Sequence, residues 1–427
     1  MTLREGEAET RLLVDHLFRS RAGQMVAWLT RIFGPAHIDL AEEVVQDALV
    51  KALQQWPYKG VPENPGGWLL AVARNGAVDV LRRNSAFASR EDAIVAEIAK
   101  STSQPDLDRH AVEDDELRLV FMCCHPALSP DARVALSLKT VGGFSVQEIA
   151  RAFLVSGPTI AQRLVRAKRL VRELDLALDL PDTSALGPRL DSALEVIYLM
   201  FNEGYAAHAG ASLIRSDLCR EALRLGRLVA SAPQTTAPEA HALAALMAFQ
   251  SARLPARVDD DGEMVLLEDQ DRSLWDQELI GIGFAHFERS AEGTRMTPYH
   301  AQAAIASVHA RAADAGATDW KSILELYDDL LQLAPSPVTA LNRTVALSRL
   351  EGPLAALAGI AEIEREPMLA DYYLLPSVKA RLLAELGDHA AAARCYRAAL
   401  ARPCNEPERR CLLRRLDESE RKAAEAG

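Results

Sequence analysis

Four side chains between residues 157 and 173 carry the clearest chemistry in this 427-residue chain. Thr159, Gln162, Arg163 and Arg166 recur at helical spacing and share one face, with Arg169 continuing it. A guanidinium pairs bidentately with guanine and a carboxamide with adenine, so this set suits the reading of base edges in a major groove. The elements that must position it are also legible. Ile160, Leu164, Ala167 and Val171 give the same helix an apolar face that needs a core. Upstream, Ser145 and Glu148 form a capping box that starts a shorter helix, with Val146, Ile149, Ala150 and Phe153 at helical spacing. Leu154, Val155 and Ser156 break the pattern. Ser156 or Gly157 can cap the second helix, and Pro158 fits its first turn. Two helices with a tight break, the second offering a basic face, have the layout of a helix-turn-helix. A helical hairpin with a merely solvated basic face would show the same local pattern.

The surrounding composition favours a targeted contact. Net charge is −12, which argues against general coating of nucleic acid. The charge is uneven, however. Arg163, Arg166, Lys168, Arg169 and Arg172 fall in an acid-free stretch, whereas 259–271 holds Asp259, Asp260, Asp261, Glu263, Glu268, Asp269 and Asp271. Hydrophobic residues make up 49% and aromatics 5%, with few alternating or β-branched runs, so the chain reads as all-α. Its length allows two or three domains. The six cysteines form no C-x-x-C pair and the start of the chain is polar, which predicts a reducing, cytoplasmic setting. No apolar run reaches about 18 residues, so no membrane span is expected.

Composition separates the regions. Residues 10–84 form one helical unit, 85–112 a small, polar, acidic and flexible linker with room for one short helix, and 113–175 a second unit ending in the helix-turn-helix. A boundary near 176–188 precedes a helical extension over 189–427. There Pro335 and Pro403 lie about two tetratricopeptide periods apart (~34 residues each). Within 370–403, Ala380, Gly387, Ala392, Tyr396 and Ala399 stand at the small and aromatic positions of that motif, where small residues let helices approach closely. Residues 336–369 give a second unit, with a helix on either side of Gly352-Pro353. Trp320, Ile323, Tyr327 and Leu330 lead up to Pro335 in the same way. A non-repetitive bundle is the competing reading, above all for 189–299.

The first unit adds a second constellation. The helix Asp39–Leu53 is amphipathic: Leu40, Val44, Val45, Ala48, Leu49 and Leu53 form the buried face. Glu42, Glu43, Gln46 and Asp47 cluster on the other, as a docking surface or a solvated face. A Pro- and Gly-rich loop over 57–67 follows. The helix from Trp68 to Arg83 then mixes apolar positions with Arg74, Asn75, Asp79, Arg82 and Arg83.

In this order, the helix with a Val-Gln-Asp-Ala core, the Trp-Pro loop and the Ala-Arg-Asn-x-x-x-Asp-x-x-Arg-Arg helix resemble region 2 of the extracytoplasmic-function class of bacterial sigma factors. Leu117–Glu173 resembles sigma region 4. The likeness covers about 160 residues and extends to the group with a tetratricopeptide-like C-terminal extension. Phe121-Met-Cys-Cys-His-Pro-Ala-Leu128 and Phe201-Asn-Glu-Gly-Tyr205 strengthen that narrower match.

The resemblance implies a protein that performs no bond chemistry, needs no cofactor or metal, and has core RNA polymerase and promoter DNA as partners. Glu42, Glu43, Gln46 and Asp47 would dock on a basic coiled coil of the polymerase. The 57–67 loop would hold an unstacked base of the −10 element, with Tyr58, Lys59, Asn64 and Trp68 as contributors. Trp56 and Trp68 could equally be packing residues. Arg74, Asn75, Arg82 and Arg83 would meet the upstream edge of the melted DNA, with Asp79 as a local partner of the last two. Thr159, Gln162, Arg163 and Arg166 would read the −35 element. Arg163 could instead pack against the preceding helix. Lys168, Arg169 and Arg172 are expected to face phosphates or solvent. The extension would have a protein or intramolecular partner and tune activity. Cys123-Cys124-His125 lacks a zinc spacing, and 259–262 lacks the ligands of a calcium loop, so both read as structural. His241, His286, His300 and His309 read as structural too. A stand-alone helix-turn-helix regulator with a helical sensor is the main alternative. An enzyme or scaffold centred on the extension is another, but no catalytic constellation supports it.

Overall fold

A proline that ought to end a helix does not. The Asp39 helix runs through Pro57, spanning Ile38–Lys59 (α2), because Trp56 is buried beneath it and ties its last turn down. The stop comes at Gly60, whose φ of +81° a residue with a Cβ rarely adopts. The 57–67 loop is thus shorter than the sequence suggests: Pro65–Arg83 is already α3, and only 60–64 connect the two. Leu53 is 40% exposed, so it does not belong to the buried face. The computed structural model describes residues 21–83, 109–153, 155–182, 185–205, 215–233, 235, 237–259 and 262–425. They fall into two units, one within Met1–Leu199 and Ala232–Thr235, the other within Met200–Ser231 and Thr236–Gly427.

In the first unit, residues 21–33 (α1), α2 and α3 bury Trp28, Leu29 and Phe33 with Val44, Val45, Ala48 and Ala52, and Leu69, Ala73 and Ala77. Four helices follow: Arg109–Cys123 (α4), Pro130–Thr140 (α5), Val146–Ala152 (α6) and Gly157–Glu173 (α7). Residues 84–108 lie outside the described residues, so most of the expected linker does too. Its last four positions, 109–112, form the first turn of α4 and contain neither Gly nor Pro. Phe121, Met122, Leu136, Leu138, Ile149, Ile160 and Val171 are buried among these helices.

Leu186–Tyr205 (α8) leads into the second unit, which holds Ser216–Ser231 (α9), Pro238–Ala252 (α10), Gln277–Ser290 (α11), Pro298–Arg311 (α12) and Trp320–Leu333 (α13). Pro337–Glu351 (α14), Pro353–Ile363 (α15), Leu374–Glu385 (α16), His389–Leu400 (α17) and Glu406–Glu425 (α18) complete it. From α12 onward each helix packs on the next. The core is a chain of small clusters, as in stacked repeats. Ile305, Ile323 and Leu330 make one, Leu341, Ile360 and Leu382 the next, and Ala380, Ala392, Tyr396, Ala399 and Leu412 the last. The repeat positions at 380, 392, 396 and 399 are therefore all core. Gly387, at φ +80°, makes the turn between α16 and α17. Among the described residues there is no strand, only an isolated bridge between Val258 and Met264.

Candidate nucleic-acid interface

The helix-turn-helix forms from the local signals. Ser145 accepts from the Glu148 amide at 3.1 Å while the Glu148 carboxylate accepts from the Ser145 amide at 2.8 Å, closing the capping box of α6. Ser156 caps α7 through the Thr159 amide at 3.2 Å, with Pro158 in the first turn. Ile160, Leu164, Ala167 and Val171 are buried, which turns the opposite face outward. Gln162, Arg166 and Arg169 are exposed on it, and Thr159 is half-buried beside its cap. Arg163 pairs at 2.9 Å with Asp131 on α5, not with the preceding helix as one reading expected. Asp131 is 67% exposed, and an ion pair so open to water holds Arg163 only weakly. Sequence reasoning missed Val165, 64% exposed on the same face. An apolar side chain there suits a thymine methyl group. Its signal was an aliphatic residue out of phase with the buried stripe.

The acidic face of α2 is split. Glu43, Gln46 and Asp47 are exposed, and Val50 and Leu53 extend that stripe with apolar surface the sequence pattern had not assigned to it. Glu42 is not solvated. It is 8% exposed and accepts a hydrogen bond from Thr140 at 2.7 Å and from Lys168 at 2.9 Å. Lys168 also reaches Asp39 at 2.7 Å, and Arg172 binds the second oxygen of Asp39 at 3.1 Å. The expectation that Lys168 faces phosphate or solvent is thus corrected: it is 7% exposed, under the N-terminal end of α2. Burial alone would push its ammonium down, but the carboxylates of Glu42 and Asp39 outweigh burial and raise it above the ordinary lysine value. Helical periodicity placed Lys168 next to the buried stripe, but its acidic partners lie more than a hundred residues away in sequence, beyond the reach of any local pattern.

Further contacts join the two helical groups of this unit. Arg31 donates to Asp115 at 2.9 Å, and Gln24 to Glu116 at 3.4 Å. Burial raises the Asp115 carboxyl above its usual range despite Arg31. Gly23 passes so near the end of α5 that a Cβ would meet the Val141 carbonyl oxygen at 2.0 Å.

Around the 60–64 connection, Tyr58 is 74% exposed and Lys59 and Asn64 are exposed, the last capping α3 through the Gly67 amide at 2.9 Å. Trp68 is half-buried and meets the buried Trp56 edge-on, with ring centroids 5.4 Å apart. Trp56 is therefore a packing residue, and Trp68 rests on it. On α3, Asn75 is exposed and Arg74 half-buried, and the side chains of Arg82 and Arg83 lie outside the described residues. The structure brings Tyr58, Lys59, Asn64 and Trp68 to one end of the α2–α3 pair.

Comparison with known proteins bears on this geometry. Residues 17–87 match the model for Sigma-70 region 2, and 118–171 that for Sigma-70, region 4. The RNA polymerase sigma factor CarQ of Myxococcus xanthus is 32% identical over 168 residues, which cover 38% of this chain and 87% of CarQ. The chain belongs to the extracytoplasmic-function family of RNA polymerase sigma factors. It is a DNA-binding factor of transcription initiation, and the family implies core RNA polymerase and promoter DNA as its partners. A probable extracytoplasmic-function sigma factor, SigI of Mycobacterium tuberculosis, is 28% identical over 166 residues, 38% of this chain and 56% of SigI. The present chain carries a C-terminal extension beyond its two sigma regions. Residues 189–291 match a family of unknown function, DUF6596. An uncharacterized protein of Rhizobium meliloti (strain 1021) is 40% identical over 411 residues, 95% of both chains. No solved structure gives a significant match. No described helix is long and apolar enough to cross a membrane.

The remaining candidates settle into packing. Cys123 and Cys124 are buried, and burial raises both thiols, Cys124 to about 11. His125 accepts from the Ala127 amide at 3.1 Å in the turn after α4. His241 and His286 bury their Nδ1 atoms 2.8 Å apart between α10 and α11.

Proposed function

We propose that this sigma factor docks on core RNA polymerase through the α2 stripe of Glu43, Gln46 and Asp47, flanked by Val50 and Leu53. Glu42 and Asp39 join that surface only when Lys168 and Arg172 release them. The −35 element is read by Gln162, Arg166 and Thr159, with Arg163 swinging from Asp131 and Val165 supplying apolar contact. Tyr58, Lys59, Asn64 and Trp68 receive an unstacked base of the −10 element, and Arg74, Asn75, Arg82 and Arg83 follow the upstream DNA. The protein makes and breaks no bonds. It holds DNA so that polymerase can melt it, and tethering through polymerase turns two modest DNA contacts into one tight one.

The observation that carries this reading is the pair of outward faces in one unit, an acidic one on α2 and a basic one on α7, each backed by its own buried stripe. A stand-alone regulator would have no use for the first. The extension, with its own core of stacked clusters, acts as a regulator of these surfaces. Two measurements test the reading. Asp47→Lys should abolish co-purification with core polymerase and leave helix content intact; unchanged binding removes α2 as the docking element. Ending the chain near Leu180 should change promoter output in the presence of polymerase; unchanged output removes the regulatory role.

A further inference from the structure

The acidic segment that stood out in the sequence has a definite place in the second unit. Residues 262–269 cross a surface built by alternate helices α14, α16 and α18, which contribute Arg349, Arg381 and Arg410. Arg410 pairs with Glu263 at 2.6 Å and donates to the Gly262 carbonyl at 3.2 Å. Arg381 pairs with Glu268 at 3.3 Å, and Arg349 binds the other oxygen of that carboxylate. Between the two acids, Met264, Val265, Leu266 and Leu267 are each only half-buried.

Three features separate this strap from ordinary core. First, it leaves space beside it: open clefts of about 260, 200 and 100 Å³ lie along it, the first reached by Glu268, the second by Leu266, Leu267 and Glu268, and the third by Met264 and Leu266. Second, Arg381 lines all three cavities, and its Nη2 is buried without a hydrogen-bond partner among the described residues. A buried cationic donor left unpaired is expensive, so the groove holds a place for an acceptor the strap does not supply. Third, the strap is anchored outside the groove. Arg257 holds the Tyr205 carbonyl and stacks on its ring at 3.9 Å. On the other side Arg272 donates to the carbonyls of His309 and Ala312 at 2.7 Å, and Trp275 is buried. Release of 262–269 would break the bond from the Val265 amide to the Arg257 carbonyl at 2.9 Å and that from the Gln270 carboxamide to the Val265 carbonyl at 3.2 Å, while the side-chain contacts of Arg257, Arg272 and Trp275 lie outside the groove.

We propose that this face is a peptide-docking groove, that the chain's own segment 262–269 occupies it as an internal ligand, and that its partner is a protein presenting an extended stretch of the same chemistry. That stretch has two carboxylates flanking an apolar run, with a further acceptor for Arg381. Curved stacks of helical repeats present such surfaces to extended peptides. Tethering gives the strap an effective concentration on the order of mM, so a free peptide competes poorly until the strap is weakened.

The probe is the synthetic peptide Gly-Glu-Met-Val-Leu-Leu-Glu-Asp-Gln, corresponding to 262–270, titrated onto the full chain. The double variant Glu263→Ala/Glu268→Ala should bind it at least about tenfold more tightly than the unaltered chain does. Arg410→Glu, added to that variant, should abolish binding, and a peptide with Lys in place of its first Glu should restore it. Three outcomes overturn the proposal: equal or absent binding by a double variant of normal helix content, equal binding of a scrambled peptide, or loss of fold in the double variant. The last would make the strap part of the core. The charge-swap arm reads recognition rather than stability, because a structural role would not be rescued by a peptide added in trans.

Discussion

Replacing Lys168 by alanine should make this sigma factor bind polymerase better. Lys168 is the only described side chain that bridges Asp39 and Glu42 from α7. The Lys168 and Glu42 side chains are 9% and 10% exposed, so the pair is buried, whereas Asp39 is 59% exposed and contributes through solvent. Removing one partner of a buried pair costs about 3–5 kcal/mol, because the other charge is left uncompensated. The exposed Asp39 end argues for the low figure, about 3 kcal/mol. At ~1.4 kcal/mol per factor of ten, that weakens the closed arrangement about 100-fold. Glu42 then regains water most fully if α2 parts from α7, the change that adds Glu42 and Asp39 to the docking stripe. If polymerase takes the open form, apparent affinity rises by up to the same factor. Fluorescence anisotropy of labelled chain titrated with core enzyme reads it, with far-UV circular dichroism as the control for folding. Unchanged or weaker binding by a folded Lys168→Ala protein would show that the Lys168 pairs do not hold the docking residues back. A lysine that touched DNA phosphate would behave differently: its loss would lower promoter affinity and flatten the salt dependence.

Other expectations follow from the same contacts. Gly23→Ala places a methyl group 2.0 Å from the Val141 oxygen, against backbone that cannot swing aside, and should weaken the closed packing by about 1–3 kcal/mol. Energy transfer between dyes on α2 and α7 should fall, with polymerase affinity moving in the same direction as for Lys168→Ala. Gln162→Ala and Arg166→Ala should each reduce discrimination of the −35 element by about 1–3 kcal/mol in competition binding with polymerase, whereas Lys168→Ala leaves it intact. Acid should loosen the second unit. Burial, reinforced by His241, Arg227 and Arg289, pushes His286 down to about 4, and burial with Arg253 and Arg272 pushes His309 to about 3. The unfolded chain takes up these protons near pH 6.5, so stability is full above that value and falls as pH drops towards 4. Thermal melts at pH 7 and 4.5 should show the loss, and His286→Gln should lessen it.

Local signals made much of this legible. The capping box at Ser145, the Ser156 cap and the buried stripe through Val171 all form from residues within four positions of one another, so periodicity and cap chemistry suffice. The repeat positions at Ala380, Tyr396 and Ala399 were visible for the same reason: small residues at fixed spacing serve one packing need. What escaped was set by distant partners. Pro57 stays inside α2 because Trp56 is buried and backed by Trp68. Glu42 looked like its solvated neighbours Glu43 and Asp47, yet Thr140 and Lys168 enclose it. Glu263 and Glu268 looked like part of an acidic surface run, yet each meets an arginine from a helix far along the chain. A charge pattern in sequence does not reveal which of its members will be buried against an opposite charge.

A sigma factor of this build directs core RNA polymerase to start transcription at particular promoters. Run-off transcription with purified core enzyme, on templates chosen by mapping the starts that appear when the chain is overproduced, tests it most directly. Transcripts with defined 5′ ends should require the chain, vanish with Asp47→Lys and increase with Lys168→Ala. Core enzyme that yields the same transcripts with and without the folded chain would contradict it.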